Sequence, residues 1–221
     1  MLGQYGVVAE SDNLGAVVGD AVDALEEERI PYVLCGGLAS TLLGRSRTTD
    51  DVDVLVQADD AERALEALAR AGFETERTNP QWIFKATRDE ITIDLMFWLK
   101  GGIVLDDEML ERAGFDELAG RRVRVIPPED LIVVKAIAND EQSSRHWHDA
   151  LGMIATRELD WPYLVTRARH GARRVLSLLT YAQADDLIVP NEAITALYGM
   201  VYGDGQAPDA SVETASATAR R

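Results

Sequence analysis

Apolar and polar positions along this chain switch between a helical period and a strand period, and the switches mark out its elements. Leu14, Val17, Val18, Ala21 and Leu25 recur at helical spacing, with acidic residues opposite, and predict a helix over residues 14–29 that Pro31 ends. Residues 32–35 are a short apolar run, read as a core strand, and residues 37–43 predict a brief helix closed by Gly44. A second apolar strand runs to Val56. Asp59 and Asp60 then open a helix through Ala61, Leu65, Leu68 and Ala69 that Gly72 stops.

Residues 73–78 and 82–87 read as strands joined by an Asn79-Pro80 turn, and Arg88-Asp89-Glu90 turns the chain into a further strand over 91–97. Two tight turns in succession demand antiparallel pairing, so the sheet is expected to be mixed. After Pro128 the pattern becomes almost wholly helical, and from Gly203 onward periodicity is lost. The expectation is an α+β chain. A mixed sheet with flanking helices spans residues 1–126, a C-terminal helical bundle 127–202, and a disordered tail 203–221.

Two segments carry chemistry. Cys35-Gly36-Gly37-Leu38-Ala39 ends the first strand, and Arg47-Thr48-Thr49-Asp50-Asp51-Val52-Asp53 leads into the second. Strand side chains alternate faces, so Asp51 and Asp53 point the same way. Like charges held that close repel unless a cation sits between them, and a hard, oxygen-seeking ion such as Mg2+ suits two carboxylates. Gly36 and Gly37 let backbone approach a ligand, and the helix after them aims N–H groups at it. Asp94 lies in the otherwise apolar run Ile91-Thr92-Ile93-Asp94-Leu95-Met96-Phe97. A carboxylate there is costly unless paired or metal-bound. Alone it reads equally as a strand-end residue capping a loop; the Asp51/Asp53 pair favours the ligand. Metal carboxylates beside a phosphate cradle are the parts of phosphoryl or nucleotidyl transfer.

Gly36, Gly37, Ala39, Gly44, Arg47, Thr49, Asp51 and Asp53 together match the pattern Gly-Gly-x-Ala…Gly-x-x-Arg-x-Thr-x-Asp-hydrophobic-Asp. This resembles the signature of the DNA polymerase β-type nucleotidyltransferase superfamily. The spelling is similar to small bacterial and archaeal members, among them AbiEii-like toxins and lincosamide-type antibiotic adenylyltransferases. The resemblance implies that Asp51, Asp53 and Asp94 hold two Mg2+ or Mn2+ ions over an NTP. It also implies that Gly36, Gly37, Ser40, Arg47 and Thr49 meet its phosphates. Residues 123–135 look like the family's strand–Pro–Glu-Asp-Leu–helix–Lys passage, which would bring Lys135 to the nucleotide. The residues alone leave Lys135 as a solvent-facing lysine and Arg47 as a salt-bridge partner of Asp50. The run Arg145-His146-Trp147-His148-Asp149 departs from the family's Arg-x-Lys-Asp-x-x-Asp at His148 and Gly152.

Composition narrows the acceptor. No apolar run is long enough to span a membrane, Cys35 is the single cysteine, and the first residues lack a signal-peptide pattern, so a cytoplasmic protein is expected. A net charge of −16 opposes non-specific binding to nucleic acid. Arginines nonetheless cluster at 121, 122 and 124 and at 167, 169, 173 and 174. With the resemblance, the arginine-bearing C-terminal half points first to nucleotide addition to RNA or tRNA by a toxin paired with an antitoxin protein. The alternatives are adenylylation of a small hydroxyl-bearing molecule, which the acidic charge favours, and a non-catalytic nucleotide-binding module on the same fold.

Overall fold

The computed structural model describes residues 12–44, 51–140, 142 and 144–203. The chain runs α1 (Asp12–Glu27), β1 (Tyr32–Cys35), α2 (Gly36–Leu43), β2 (Asp51–Val56), α3 (Ala61–Arg70), β3 (Glu74–Asn79), β4 (Ile83–Arg88) and β5 (Ile91–Met96). It continues through α4 (Asp107–Arg112), β6 (Gly114–Leu118), β7 (Arg121–Val125), α5 (Pro128–Ala138), α6 (Arg145–Thr156), α7 (Trp161–Arg167), α8 (Ala172–Ala184) and α9 (Asn191–Tyr202). Most boundaries fall within a residue or two of expectation. α1 is stopped by Arg29 rather than Pro31: Arg29 takes a left-handed φ of 54°. Its N–H and that of Ile30 bond back to Glu26 and Leu25, which closes the helix before the proline is reached.

The seven strands form one mixed sheet in the order β3-β4-β5-β2-β1-β7-β6. The hairpins β3/β4, β4/β5 and β6/β7 are antiparallel, as is β1/β2, whereas β2/β5 and β1/β7 are parallel. β1 and the later half of β2 (Val54, Leu55, Val56) are apolar on both faces and almost fully buried, whereas Asp51 and Asp53 interrupt one face at the start of β2. α1 packs on α3 and reaches β5 and β7, while α2 packs on β1 and β2 and meets α5 and α6. β6 has no counterpart in the sequence reading. It is an edge strand whose one buried residue is Leu118, so no apolar alternation announces it.

α5 is the hub of the later helices and packs against α6, α7 and α8. Its buried charges each find a partner on a later segment. Glu129 accepts from the Asp160 N–H at 2.7 Å, and Asp130 accepts from the Tyr163 hydroxyl and from Arg167 Nε, both at 2.5 Å. Lys135 pairs with Asp149 at 3.0 Å. Arg167 is itself buried and also reaches Asp106 at 2.5 Å. Charges in an interior are tolerable only when paired in this way. Among the described residues no helix is long and apolar enough to cross a membrane.

Candidate functional site

β1 delivers the chain to Cys35, and Gly36 turns it into α2 with a left-handed φ of +59°. This turn exists because of Asp53. The antiparallel register sets Cys35 opposite Asp53, and Asp53 Oδ2 accepts from the Gly37 N–H at 3.3 Å. A carboxylate therefore sits against a helix N-terminus whose first turn carries no acidic residue of its own. A Cβ at position 36 would lie 1.6 Å from that same Oδ2, so only glycine fits. Burial, and after it the Asp53 charge, push the Cys35 thiol well up, so it stays protonated and packs as a hydrophobe.

Asp53 has a carboxylate neighbour. In the parallel β2/β5 pair it stands level with Asp94, and Asp94 stands level with Lys85 on β4. Lys85 Nζ donates to Asp94 Oδ1 at 2.7 Å. One row thus crosses four strands: Cys35, Asp53, Asp94, Lys85. Asp51 enters β2 two residues earlier, opposite Thr92; its backbone is described and its side chain lies outside the description. Arg47 and Thr49 also fall outside the described residues. Among the described residues no group of three or more ligand-type side chains gathers. Asp53 and Asp94 make a pair of hard oxygen donors.

Lys85 supplies that pair with a cation of its own. If a metal meets Asp94, Lys85→Met lowers the melting temperature of the metal-free protein by a few degrees and enlarges whatever upward shift added Mg2+ gives the wild type. Thermal denaturation with and without Mg2+ checks this. An unchanged shift would mean that no metal meets Asp94.

A cleft of about 280 Å³ opens at Gly36, Gly37 and Asp53. Lys135, Arg145 and His146 wall it from α5 and α6, and Trp82 and Trp98 from the ends of β4 and β5. Lys135 is not the solvent-facing lysine of the simpler reading. It is 2% exposed, at the cleft wall, and held by the fully buried Asp149. Ser40, expected beside the phosphates, lies under the glycine turn. Its hydroxyl is buried and donates to the Gly36 carbonyl at 2.7 Å, so it steadies the glycine turn from beneath rather than lining the cleft.

Sequence reasoning did not single out Lys85, Trp82, Trp98 or His146. The signal available was two tryptophans at strand ends, Trp82 at the start of the 82–87 run and Trp98 just past the 91–97 run. His146 lines the cleft with a buried Nδ1 that has no hydrogen-bond partner among the described residues. Burial, then Lys135 and Arg145, hold its imidazole below the ordinary value, so it is neutral at physiological pH.

No curated protein matches this chain. Among solved structures it is similar to an antigenic nucleotidyltransferase-like protein from Paracoccidioides brasiliensis, at 19% identity and a TM-score of 0.55, over 88% of this chain and 98% of that one. It is more loosely similar to ANT(2'')-Ia in complex with adenylyl-2''-tobramycin, at 17% identity and a TM-score of 0.49 over 79% and 99% of the two chains. The lincomycin-bound lincosamide antibiotic adenylyltransferase LnuA gives 15% and 0.47 over 62% and 96%. At these identities the first likeness establishes the fold, a nucleotidyltransferase sheet with flanking helices. The family model described as "nucleotidyl transferase of unknown function" (DUF2204) matches residues 16–169, most of the length, and the chain belongs to that family.

Proposed function

We propose that this chain transfers a nucleoside monophosphate from an NTP to a hydroxyl acceptor in the cleft between the Gly36–Gly37 turn and Asp53. The observation that carries the reading is Asp53 itself, clasped by the Gly37 N–H and level with Asp94 on the next strand. Asp53 and Asp94, joined by Asp51, offer only oxygen donors, which suits Mg2+ or Mn2+. Such an ion, when bound, neutralises phosphate charge and makes the attacking hydroxyl more acidic. The positive end of α2, with no acidic residue in its first turn, and the nearby Lys135 ammonium favour the triphosphate by their field. In this reading Asp94 takes the hydroxyl proton. The chemistry needs little covalent help from the protein, so positioning and electrostatics carry it.

A small hydroxyl-bearing acceptor is favoured over RNA. The toxin-like reading, with tRNA as acceptor and an antitoxin as partner, leans on the clustered arginines. Arg167 is buried between Asp106 and Asp130, and Arg121 is bonded to Asp20 and Asp23. Those two cations are committed within the fold, and the chain's net charge of −16 repels a polyanion.

The test is transfer of label from each α-labelled NTP, with Mg2+ or Mn2+, to a pool of hydroxyl-bearing small molecules, to total tRNA and to the protein itself. An Asp51→Ala, Asp53→Ala variant runs alongside. Label in one acceptor, absent with the variant, supports the reading. Tight Mg–NTP binding with no transfer to any acceptor would make this a binding module instead.

A further inference from the structure

Trp82 and Trp98 are 43% and 51% exposed, although neither belongs to a mobile side-chain type and both stand beside the transfer cleft. They also wall a second cavity of about 520 Å³, together with Gln81, Leu99, Lys100 and Gly101. Trp82, Trp98, Leu99 and Lys100 line both cavities, so the two adjoin at this edge. The edge is held firmly. The Phe97 N–H donates to the Trp82 carbonyl at 3.0 Å, which ties the two aromatic segments together. The turn after Trp98 is closed by the Leu99 N–H to Ile103 carbonyl bond at 2.8 Å, and the Gly101 carbonyl meets the His170 ring at 3.1 Å. An exposed aromatic ring on a fixed backbone loses little freedom when a ligand stacks on it.

Topology says which ligand. Across the sheet the order runs β4-β5-β2-β1. The glycine turn follows β1, whereas Trp82 precedes β4 and Trp98 follows β5. In phosphoryl transfer the attacking and leaving oxygens lie in line on opposite sides of phosphorus. If the leaving pyrophosphate rests over Gly36–Gly37, the attacking hydroxyl enters from the tryptophan side. The second cavity has Lys100 as its one lining cation and no arginine, so it is built for a ring rather than a polyphosphate. Resting on the transfer reading above, we propose that Trp82 and Trp98 are the acceptor platform, stacking a nucleoside or sugar ring whose hydroxyl points to the Asp53–Asp94 row. In the step it serves, that hydroxyl oxygen bonds to the α-phosphorus, and the bond from the α-phosphorus to the bridging oxygen breaks. The proton passes to a carboxylate or water, and pyrophosphate leaves.

The experiment compares the wild-type chain with a Trp82→Ala, Trp98→Ala variant whose melting temperature confirms folding. Equilibrium dialysis with labelled ATP and Mg2+ measures the donor. Acceptor probes are then titrated with a non-hydrolysable Mg–ATP analogue filling the donor site, and binding is read by calorimetry for both proteins and by tryptophan quenching for the wild type. The probes are tobramycin, adenosine and a short single-stranded oligoadenylate. The proposal expects at least one probe to bind and quench, the variant to weaken that binding by about tenfold or more, and Mg–ATP affinity to stay within about twofold. Response to tobramycin alone identifies a small glycoside acceptor; response to adenosine or the oligonucleotide identifies a nucleoside end. Equal binding by both proteins or no response to any probe overturns the platform while leaving the donor site intact. Loss of Mg–ATP in the variant overturns it by making the tryptophans part of the donor site. Failure of the wild-type chain to bind Mg–ATP or any other Mg–NTP would instead overturn the transfer reading on which the platform rests.

Discussion

Gly36→Ala is expected to abolish NTP binding and to lower the melting temperature sharply. Two costs combine. Alanine at a φ of +59° pays the left-handed penalty, and its Cβ would overlap Asp53 Oδ2 at 1.6 Å. The carboxylate must then swing off the Gly37 N–H, which removes both the bond and the geometry of the site. Backbone strain and overpacking together amount to roughly 2–5 kcal/mol, or about 5–15 °C in a chain of this size. A second variant separates the causes. Adding Asp53→Ala removes Oδ2 and Cγ, so the double variant should regain part of the lost stability while remaining inactive. If Gly36→Ala melted and bound NTP like the wild type, the clasp between the glycine turn and Asp53 would not exist.

The second large effect belongs to the Lys135–Asp149 pair. Both side chains are essentially removed from water, and 3.0 Å separates their charged atoms. Lys135→Met leaves a buried carboxylate, and Asp149→Leu leaves a buried ammonium; each single change should cost about 3–5 kcal/mol. Replacing both removes the mismatch, and Lys135→Met, Asp149→Leu should recover most of the denaturation midpoint. NTP affinity should not recover, because the cleft has lost its nearest buried cation. Urea denaturation and NTP binding on the three variants check both halves. Recovery of affinity along with stability would make Lys135 a purely structural residue.

How much of this was legible in the sequence follows from the range of each interaction. The glycine turn and the carboxylates of β2 could be read because a glycine turn and strand alternation are local patterns; that Asp53 clasps the turn comes from the antiparallel pairing of β1 and β2. Asp94 stood out because the residues around it are apolar. The partners of charged residues were a different matter. Lys135 looked like a surface lysine, since nothing within a turn of it in sequence shows that Asp149 buries it. Arg167 looked like part of a basic face, yet its partners Asp106 and Asp130 lie in segments far upstream. Lys85 meets Asp94 only through the cross-strand register of β4 and β5. Ser40 sits four residues after Gly36, and helical geometry turns its hydroxyl back to the Gly36 carbonyl rather than outward. Edge strand β6 carries no apolar alternation, because one face of an edge strand need not be buried.

Asp53→Asn tests the central claim most directly, since it keeps the shape of the side chain and removes its charge. Nucleotidyl transfer, followed as label moved from an α-labelled NTP in the presence of Mg2+, should fall by about a thousandfold or more, a loss of roughly 4 kcal/mol of transition-state stabilisation. The melting temperature should stay within a few degrees of the wild type. Transfer at near wild-type rate by Asp53→Asn would contradict the account, because the carboxylate at the head of α2 would then have no part in the chemistry.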